Sequence, residues 1–257
     1  MKDKGLKIVA VICVRMNSER LPGKVMIDII GKPILGYLVE RVMMSELIDE
    51  IVVATSLNPE NNVIEAYCQK IGVACFRGSE EDVLDRILNA LKTYDADIGV
   101  EIFGDGPLVD PEIIDNMIKF YIENMDKYDF VSNDLKTTFP SGAEVEVYST
   151  STLEDASERA VSPDVREHGT LYIRQHPKRY RLHNIEAPPQ LYCPDIAIEL
   201  DTKEDFIIIK AVIENLYPVS PNFTIHDVIK FLQKHPELIA TNKNIYRRWK
   251  QYRKDEI

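Results

Sequence analysis

The sequence predicts an α/β protein with a mostly parallel central sheet, helices on both faces and a small β-rich excursion. Two observations carry this prediction: short β-branched runs alternate with amphipathic helical patterns, and 257 residues suffice for one large domain with a sizeable core. Alternating strands and helices are typical of parallel sheets, because each helix returns the chain to the edge where the next strand begins.

Each element is predicted from its own pattern. Strands are predicted at the runs KIVAVICV, EIVVATS, VACF, IGVEIFG, FVSN and IAIEL. The intervening segments place apolar residues on one face at helical spacing, and these segments are PILGYLVERVMMS, PENNVIEAYCQKIG and SEEDVLDRILNALKTY. Asn58 before Pro59, and Ser79 before three acidic residues, are typical helix starts.

The chain is interpreted as a single domain over residues 1–257. Residues 133–195 are predicted to form the β-rich excursion, after which IAIEL returns to the main sheet, and residues 218–257 are predicted to be helical. The basic carboxyl end, NKNIYRRWKQYRKDEI, could bind an anionic partner. A helix facing solvent or a second subunit is favoured.

Composition excludes several classes of protein. The net charge of -11 argues against binding to nucleic acid, and no apolar run approaches the roughly 20 residues of a membrane span. The four cysteines form neither a CxxC pair nor a zinc-finger spacing, which fits a reduced cytoplasmic protein.

Candidate functional residues directly follow the predicted strands. Ligands of open parallel sheets bind beyond the carboxyl ends of the strands, so these residues are expected to meet at one edge. Cations that hold phosphates and carboxylates that hold Mg²⁺ would together suit a nucleoside triphosphate. The candidates are Arg15, Ser18, Arg20, Lys24, Thr55, Arg77, Gly78, Ser79, Asp105 and Asp201.

Structural interpretations compete with these functional ones. Asp110 precedes Pro111 and Glu112 and is interpreted as a helix cap. Asp105 could be a turn former, Asp201 another cap, and the Arg15–Lys24 loop a solvated connection. No Walker-type phosphate loop is present. The residue pattern alone therefore leads to a phosphate-handling α/β protein.

A set of ordered motifs carries a family resemblance. They are VRMNSERLPGKV, GKPILGYLVERV, IDEIVVATS, FRGSEEDVLDR, GDGPLVDPEIID, FVSN, TFPSGAEVEV, REHGTLYIRQHP and LDTKEDF. In this order they resemble the cytidylyltransferases of the spore-coat-polysaccharide type, relatives of the acylneuraminate and 3-deoxy-manno-octulosonate cytidylyltransferases. The resemblance covers nearly the whole chain.

The resemblance implies a Rossmann-like nucleotidyltransferase fold, CTP and an acceptor as substrates, and Mg²⁺ as cofactor. It implies a homodimer, with residues 133–195 at the acceptor and subunit contact. Arg15, Lys24, Asp105 and Asp201 match the catalytic positions, and the two aspartates match the metal ligands. The implied nucleotide-binding residues are Val14, Arg15, Ser18, Arg20, Lys24, Thr55, Arg77, Gly78, Ser79 and Asp105, and the implied acceptor residues are Arg166, Glu167 and His168.

The sequence departs from the family pattern near the expected acceptor pocket. Glu101, Phe103 and Gly106 stand where Arg, Thr and Cys are common, and Gly169 and Leu171 stand where Val and Pro are common. Two alternatives to a cytidylyltransferase stay open here. One is a sugar-1-phosphate uridylyl- or guanylyltransferase, and the other is a nucleotide-binding scaffold without turnover.

Overall fold

Seven strands form the central sheet in the order β5-β4-β1-β6-β8-β7-β9. A computed structural model describes residues 5–252. The strands are β1 (Ile8–Cys13), β2 (Asp28–Ile29), β3 (Lys32–Pro33), β4 (Glu50–Ser56), β5 (Ala74–Gly78), β6 (Ile98–Phe103), β7 (Phe130–Ser132), β8 (Val145–Ser149) and β9 (Leu182–Asn184). β2 and β3 form a separate small hairpin.

Within the seven-stranded sheet only β8 is reversed. It pairs antiparallel with β6 and β7, whereas the remaining pairs are parallel. The carboxyl ends of β1, β4, β5 and β6 therefore meet at one edge. The sequence correctly predicted a mostly parallel sheet, and the antiparallel β8 completes a mixed one.

Ten α-helices among the described residues cover both faces of the sheet. They are α1 (Ile34–Met43), α2 (Asn62–Ile71), α3 (Val83–Thr93), α4 (Pro111–Glu123), α5 (Thr150–Arg159), α6 (Pro163–Arg166), α7 (Leu171–Gln175), α8 (Lys203–Leu216), α9 (Ile225–Lys234) and α10 (Pro236–Asn242). One core packs α1, α2, α4, α8 and α9 against the sheet. The other packs α3, α5 and α7 against the opposite face.

One predicted strand is wrong. Ile196–Leu200 forms no named strand, and its pairing is an isolated parallel bridge between Ala197 and Ser141. Its apolar side chains are buried, as the pattern indicated. The backbone of Leu200 donates instead to the carbonyl of Asp105 at 2.7 Å, so this segment packs beside the sheet edge and delivers Asp201 there.

The region 133–195 is less β-rich than its pattern indicated. It contributes β8 and β9 to the main sheet, and between them lie α5, α6 and α7. After residue 218 the described chain is helical, with α9, α10 and a short 3₁₀ turn at Arg248–Tyr252. Residues 1–4 and 253–257, the ends of the predicted domain and of the basic helix, lie outside the described residues.

Within residues 243–251 the basic carboxyl end is mainly exposed, with Arg247 as the buried exception. Arg247 is only 4% exposed and bonds to Glu199 and Asp205, and Arg248 pairs with Glu19. Across residues 5–252, none of the helices is long and apolar enough to cross a membrane.

Candidate active site

The loop after β1 is held in a fixed shape by its own backbone and by Asn61. Asn61 accepts a hydrogen bond from the Met16 backbone at 2.8 Å, and Gly23 donates to the Met16 carbonyl at 2.9 Å. Gly23 has a φ of 71°, a left-handed conformation that costs glycine least. This turn brings Lys24 back toward the strand ends.

Two cations of this loop converge on Asp201. Lys24 Nζ lies 2.8 Å from Asp201 Oδ1 and 2.6 Å from the Leu200 carbonyl. Arg20 Nη2 lies 2.6 Å from Asp201 Oδ2. Arg15, the third cation, contacts Glu80 at 3.2 Å and Glu167 at 3.7 Å. The three cations thus line one cleft, with carboxylates as their partners.

Asp105 is a second carboxylate at this edge. Burial is the main cause that raises its pKa, nearby Asp201 acts in the same direction, and Lys24 opposes both. Behind it, burial and then Asp105 raise the pKa of Glu199 to about 7, against the attraction of Arg247. The site therefore concentrates negative charge that a bound cation would relieve.

These side chains line a cleft of about 600 Å³ beyond the carboxyl ends of β1 and β6. Its volume suits a nucleotide-sized ligand. Of the residues expected from the sequence, the cleft brings together Val14, Arg15, Ser18, Arg20, Lys24, Asp105, Glu167, His168 and Asp201. Burial lowers the pKa of His168, so this side chain is mainly neutral at pH 7.

Five expected residues lie outside this cleft lining. The guanidinium of Arg77 bonds to the Ser56 and Asn58 carbonyls and to Glu65, which ties β5 to α2. Arg166 bonds to Asp82 at 2.6 Å and to two backbone carbonyls. Both guanidinium groups therefore bond to neighbouring structure outside the cleft lining. The others are Thr55, Gly78 and Ser79.

Gly78 and Ser79 shape neighbouring structure, and Thr55 is enclosed within β4. Thr55 is fully buried, and its Oγ1 forms no hydrogen bond with any described residue. A Cβ at Gly78 would lie 3.0 Å from Arg86, so this glycine makes room for that side chain. Ser79 Oγ accepts a hydrogen bond from the Asp82 backbone at 3.0 Å, just before α3 begins.

Sequence reasoning missed several residues that line the cleft. Glu80 and Arg86 belong to the motif FRGSEEDVLDR, of which only Arg77, Gly78 and Ser79 were predicted to bind the nucleotide. Arg86 is buried, and its Nε has no partner among the described residues. Glu101 was noted only as a departure from a pattern. Arg248 comes from the carboxyl end, and no local signal could have placed it here.

The donor set of the cleft fits a divalent cation that also binds the ligand. Asp105 and Asp201 offer the hard oxygens that Mg²⁺ prefers, and Mg²⁺ is commonly held by one or two carboxylates together with phosphate oxygens and water. No cluster of three or more His, Cys, Asp or Glu residues between residues 5 and 252 has metal-binding geometry. A triphosphate would therefore have to supply the remaining ligands.

Comparison with known families decides the identity. The model of the cytidylyltransferase family matches residues 9–245. The chain belongs to this family. The cytidylyltransferase is 36% identical over 235 residues to the spore coat polysaccharide biosynthesis protein SpsF of Bacillus subtilis, a match covering 90% of this chain and 95% of SpsF. It is an enzyme of the cytidylyltransferase family, as the motifs indicated.

Solved structures agree with this assignment. A cytidylyltransferase from Leptospira borgpetersenii is 33% identical to this one, with a TM-score of 0.86 over 94% of this chain and all of that one. A CMP:2-keto-3-deoxy-manno-octonic acid synthetase complexed with CTP shares 20% identity and a TM-score of 0.63, over 82% of this chain and 99% of that one. This second likeness shows the common nucleotidyltransferase-like fold.

Proposed function

We propose that this cytidylyltransferase transfers CMP from CTP to a sugar acid or a small phosphorylated acceptor and releases pyrophosphate, in glycan or surface polysaccharide biosynthesis. One observation carries the proposal. Arg15, Arg20 and Lys24 of a single rigid loop face the same cleft as Asp105 and Asp201. A polyanionic nucleotide that carries a divalent cation is the ligand that this arrangement suits.

The chemistry follows from where charge develops. An acceptor oxygen attacks the α-phosphorus of CTP, the bond from this phosphorus to the bridging oxygen breaks, and pyrophosphate leaves with the added charge. Fixed cations are the main catalytic resource for such transfers. Lys24 and Arg15 would neutralise the leaving pyrophosphate. Lys24 would exchange its bond to Asp201 for phosphate oxygens, since it is already at the cleft surface.

Asp105 and Asp201 would hold Mg²⁺, which when bound polarises the α-phosphate and screens the triphosphate charge. Val14, Ser18 and Arg20 would line the nucleotide, and Glu167 and His168 would face the acceptor from the opposite wall. A phosphate nucleophile is already ionised at neutral pH and needs no strong general base among these residues. The hydroxyl of a sugar acid would have to pass its proton to a base or to water as it attacks.

We further propose a homodimer in the cytoplasm. Exposed Tyr192 and Val161 fall within residues 133–195, the segment to which the family resemblance assigns the subunit contact. The cysteines are free thiols, which fits a reducing compartment. Sedimentation velocity of the purified protein tests the dimer, and a monomer at micromolar concentration would contradict it.

The function is tested by pyrophosphate release. Purified protein is mixed with Mg²⁺, each common nucleoside triphosphate in turn, and a panel of sugar acids, sugar phosphates and small phosphorylated acids. We expect release with CTP and one acceptor class. Release with UTP or GTP but not with CTP would contradict the proposal and favour a uridylyl- or guanylyltransferase.

A further inference from the structure

A second cavity of about 220 Å³ adjoins the inner wall of the cleft. We call it the inner recess. It shares its mouth with the cleft, since both are lined by Glu101, Glu167 and His168. Its remaining polar or aromatic lining is Asp134, Glu146, Thr170, Arg174 and Trp249. A ligand that reacts in the cleft can therefore extend one end into this recess.

The recess is acidic. Four carboxyl groups line it, from Glu101, Asp134, Glu146 and Glu167, against the guanidinium of Arg174. Burial and then Glu146 raise the pKa of Glu101 to about 8, so the negative charge at neutral pH comes from the other three. Arg174 bonds to both Asp134 and Glu146, so its charge is already matched within the protein. Thr170 donates a further hydrogen bond to Glu146 at 2.6 Å. The inner wall therefore carries an excess of negative charge.

Glu101 is the least satisfied of these groups. It is 4% exposed, and its one hydrogen bond among the described residues comes from the Tyr148 hydroxyl to Oε2 at 3.1 Å. Oε1 has no donor within the described chain. Oε1 is open to the recess rather than sealed in the core, so a polar group on a ligand can reach it.

The surrounding backbone makes room for this carboxylate. A Cβ at Gly169 would lie 2.8 Å from Glu101 Oε2 and 2.9 Å from Oε1, so only glycine fits there without a shift. Arg166, close to Gly169 in the sequence, is bonded instead to Asp82 and to the carbonyls of Ser157 and Ala160. The position of the Glu101 carboxyl group thus depends on the glycine at 169.

We propose that the inner recess selects acceptors whose non-reacting end carries hydroxyl or ammonium groups and rejects a carboxylate there, with Glu101 as the contacting group. Glu101 exchanges hydrogen bonds with a hydroxyl group, and beside an ammonium group it releases its proton to solvent and accepts. This inference rests on the proposed function and narrows its acceptor. A carboxylate in the recess would meet an excess of like charges, whereas a hydroxyl or ammonium group would complete the hydrogen bonding of Glu101. The favoured acceptor carries hydroxyl or ammonium groups at the end away from its nucleophile.

The test uses three anomeric phosphates of one pyranose that differ only at the terminal carbon. This carbon carries a hydroxyl, an ammonium or a carboxylate group. Their dissociation constants are measured by calorimetry with Mg²⁺ and α,β-methylene CTP present, so that no transfer consumes them. We expect the hydroxyl and ammonium forms to bind about tenfold or more tightly than the carboxylate form, the ratio that one hydrogen bond to a charged group can supply.

Glu101→Gln and the matched Glu123→Gln variant assign this preference to the residue. Glu123 is exposed at the end of α4, and its substitution should leave all three constants unchanged. Glu101→Gln should reduce the advantage of the ammonium form over the hydroxyl form. Equal binding of the three phosphates, tighter binding of the carboxylate form, or identical behaviour of the two variants would overturn the proposal.

Separate measurements distinguish failure of the proposed function from failure of the recess proposal. Binding of CTP is titrated separately, and pyrophosphate release is measured with CTP itself. Absence of CTP binding beside an intact donor preference would contradict the proposed function alone. Turnover with CTP and a preference for the carboxylate phosphate would contradict the recess proposal alone.

Discussion

The two ends of the cleft differ in the sign of their charge and in how that charge is held. At one end Arg15, Arg20 and Lys24 project from a loop, and their partners are side chains at the cleft surface. At the other end Glu101 and Glu146 stand opposite each other on β6 and β8, buried in the sheet. The cations of the loop can therefore exchange their carboxylate partners for a ligand. The carboxyl groups of the recess are instead fixed in place by the sheet.

Electrostatic separation would then orient two substrates in one cavity. A triphosphate carries several negative charges and is attracted to the loop, while the recess repels it. An acceptor with a donor-rich end is held at the opposite wall, with its nucleophile between the two. The following predictions test this comparison, from the largest expected effect to the smallest.

Arg174→Met should have the largest effect on stability. Arg174 is the cation that compensates buried Asp134 and Glu146, so its removal leaves both carboxylates without a counter-charge. Loss of one partner from a buried pair typically costs about 3–5 kcal/mol of unfolding free energy. Urea unfolding of wild type and Arg174→Met measures the change in unfolding free energy.

Arg159→Met is the matched control. Arg159 pairs with Asp155 on the surface of α5, where solvent screens the ion pair and its loss should change stability little. Equal losses of unfolding free energy in Arg174→Met and Arg159→Met would contradict this prediction, because the buried ion pair would then contribute no more to stability than an exposed one.

Lys24→Ala should lower turnover about a hundredfold or more and leave the fold intact. Removal of one fixed charge contact to a developing anion typically costs about 3 kcal/mol of transition-state stabilisation. Pyrophosphate release from CTP measures the rate, and thermal melting checks the fold. Lys119→Ala, an exposed lysine of α4, should retain full activity. Wild-type rates for Lys24→Ala would remove this residue from the catalytic group.

Asp110→Ala should reduce stability without slowing turnover. Asp110 caps α4 through Glu112 at 2.9 Å and accepts from the Ile225 backbone at 2.6 Å. Loss of a cap and of a buried acceptor costs about 1–3 kcal/mol. Urea unfolding and pyrophosphate release are compared. A hundredfold fall in turnover would show that Asp110 takes part in catalysis and is not only a helix cap.

Glu101→Gln should weaken the dependence of stability on pH. Burial and then Glu146 raise the pKa of Glu101 from 4.5 to about 8. Between these values the unfolded chain has lost this proton while the folded protein keeps it. Stability therefore falls as pH rises, by up to about 1.4 kcal/mol per pH unit. Glutamine does not ionise, so the variant lacks this contribution.

Urea unfolding of both proteins between about pH 5 and pH 8 checks the slope. The comparison isolates Glu101 from its charged neighbours, because these are present in both proteins. They are Asp134, Glu146, Tyr148, Glu167, His168 and Arg174. We expect the stability of the variant relative to wild type to increase as pH rises, and parallel curves would contradict this.

The sheet and the cationic end were predictable because their signals are local. Runs such as EIVVATS have strand periodicity in themselves, and three cations directly after β1 must share its carboxyl end. Asp110 was recognised as a cap from Pro111 and Glu112 alone, and its hydrogen bond agrees. Local propensity, together with the rule that ligands bind beyond the carboxyl ends of parallel strands, was sufficient to predict these features.

The acidic end was not predictable, because it depends on pairing between distant segments. Glu101 meets Glu146 only through the register of β6 with β8, and Arg174 reaches them from α7. Arg77 and Arg166 were predicted to face the ligands, but in the structure they bond to neighbouring carbonyls and carboxylates. Ile196–Leu200 looked like a strand, since burial alone produces the same apolar pattern.

A CTP titration by calorimetry tests the central claim, that the cationic loop holds the nucleotide and the acidic recess does not. Wild type, Lys24→Ala and Glu101→Gln are compared with Mg²⁺ present. The account predicts that Lys24→Ala weakens CTP binding about tenfold or more, as expected for loss of a charge-assisted contact, while Glu101→Gln leaves it nearly unchanged. Equal weakening in both variants, or weakening in Glu101→Gln alone, would contradict the division of the cleft.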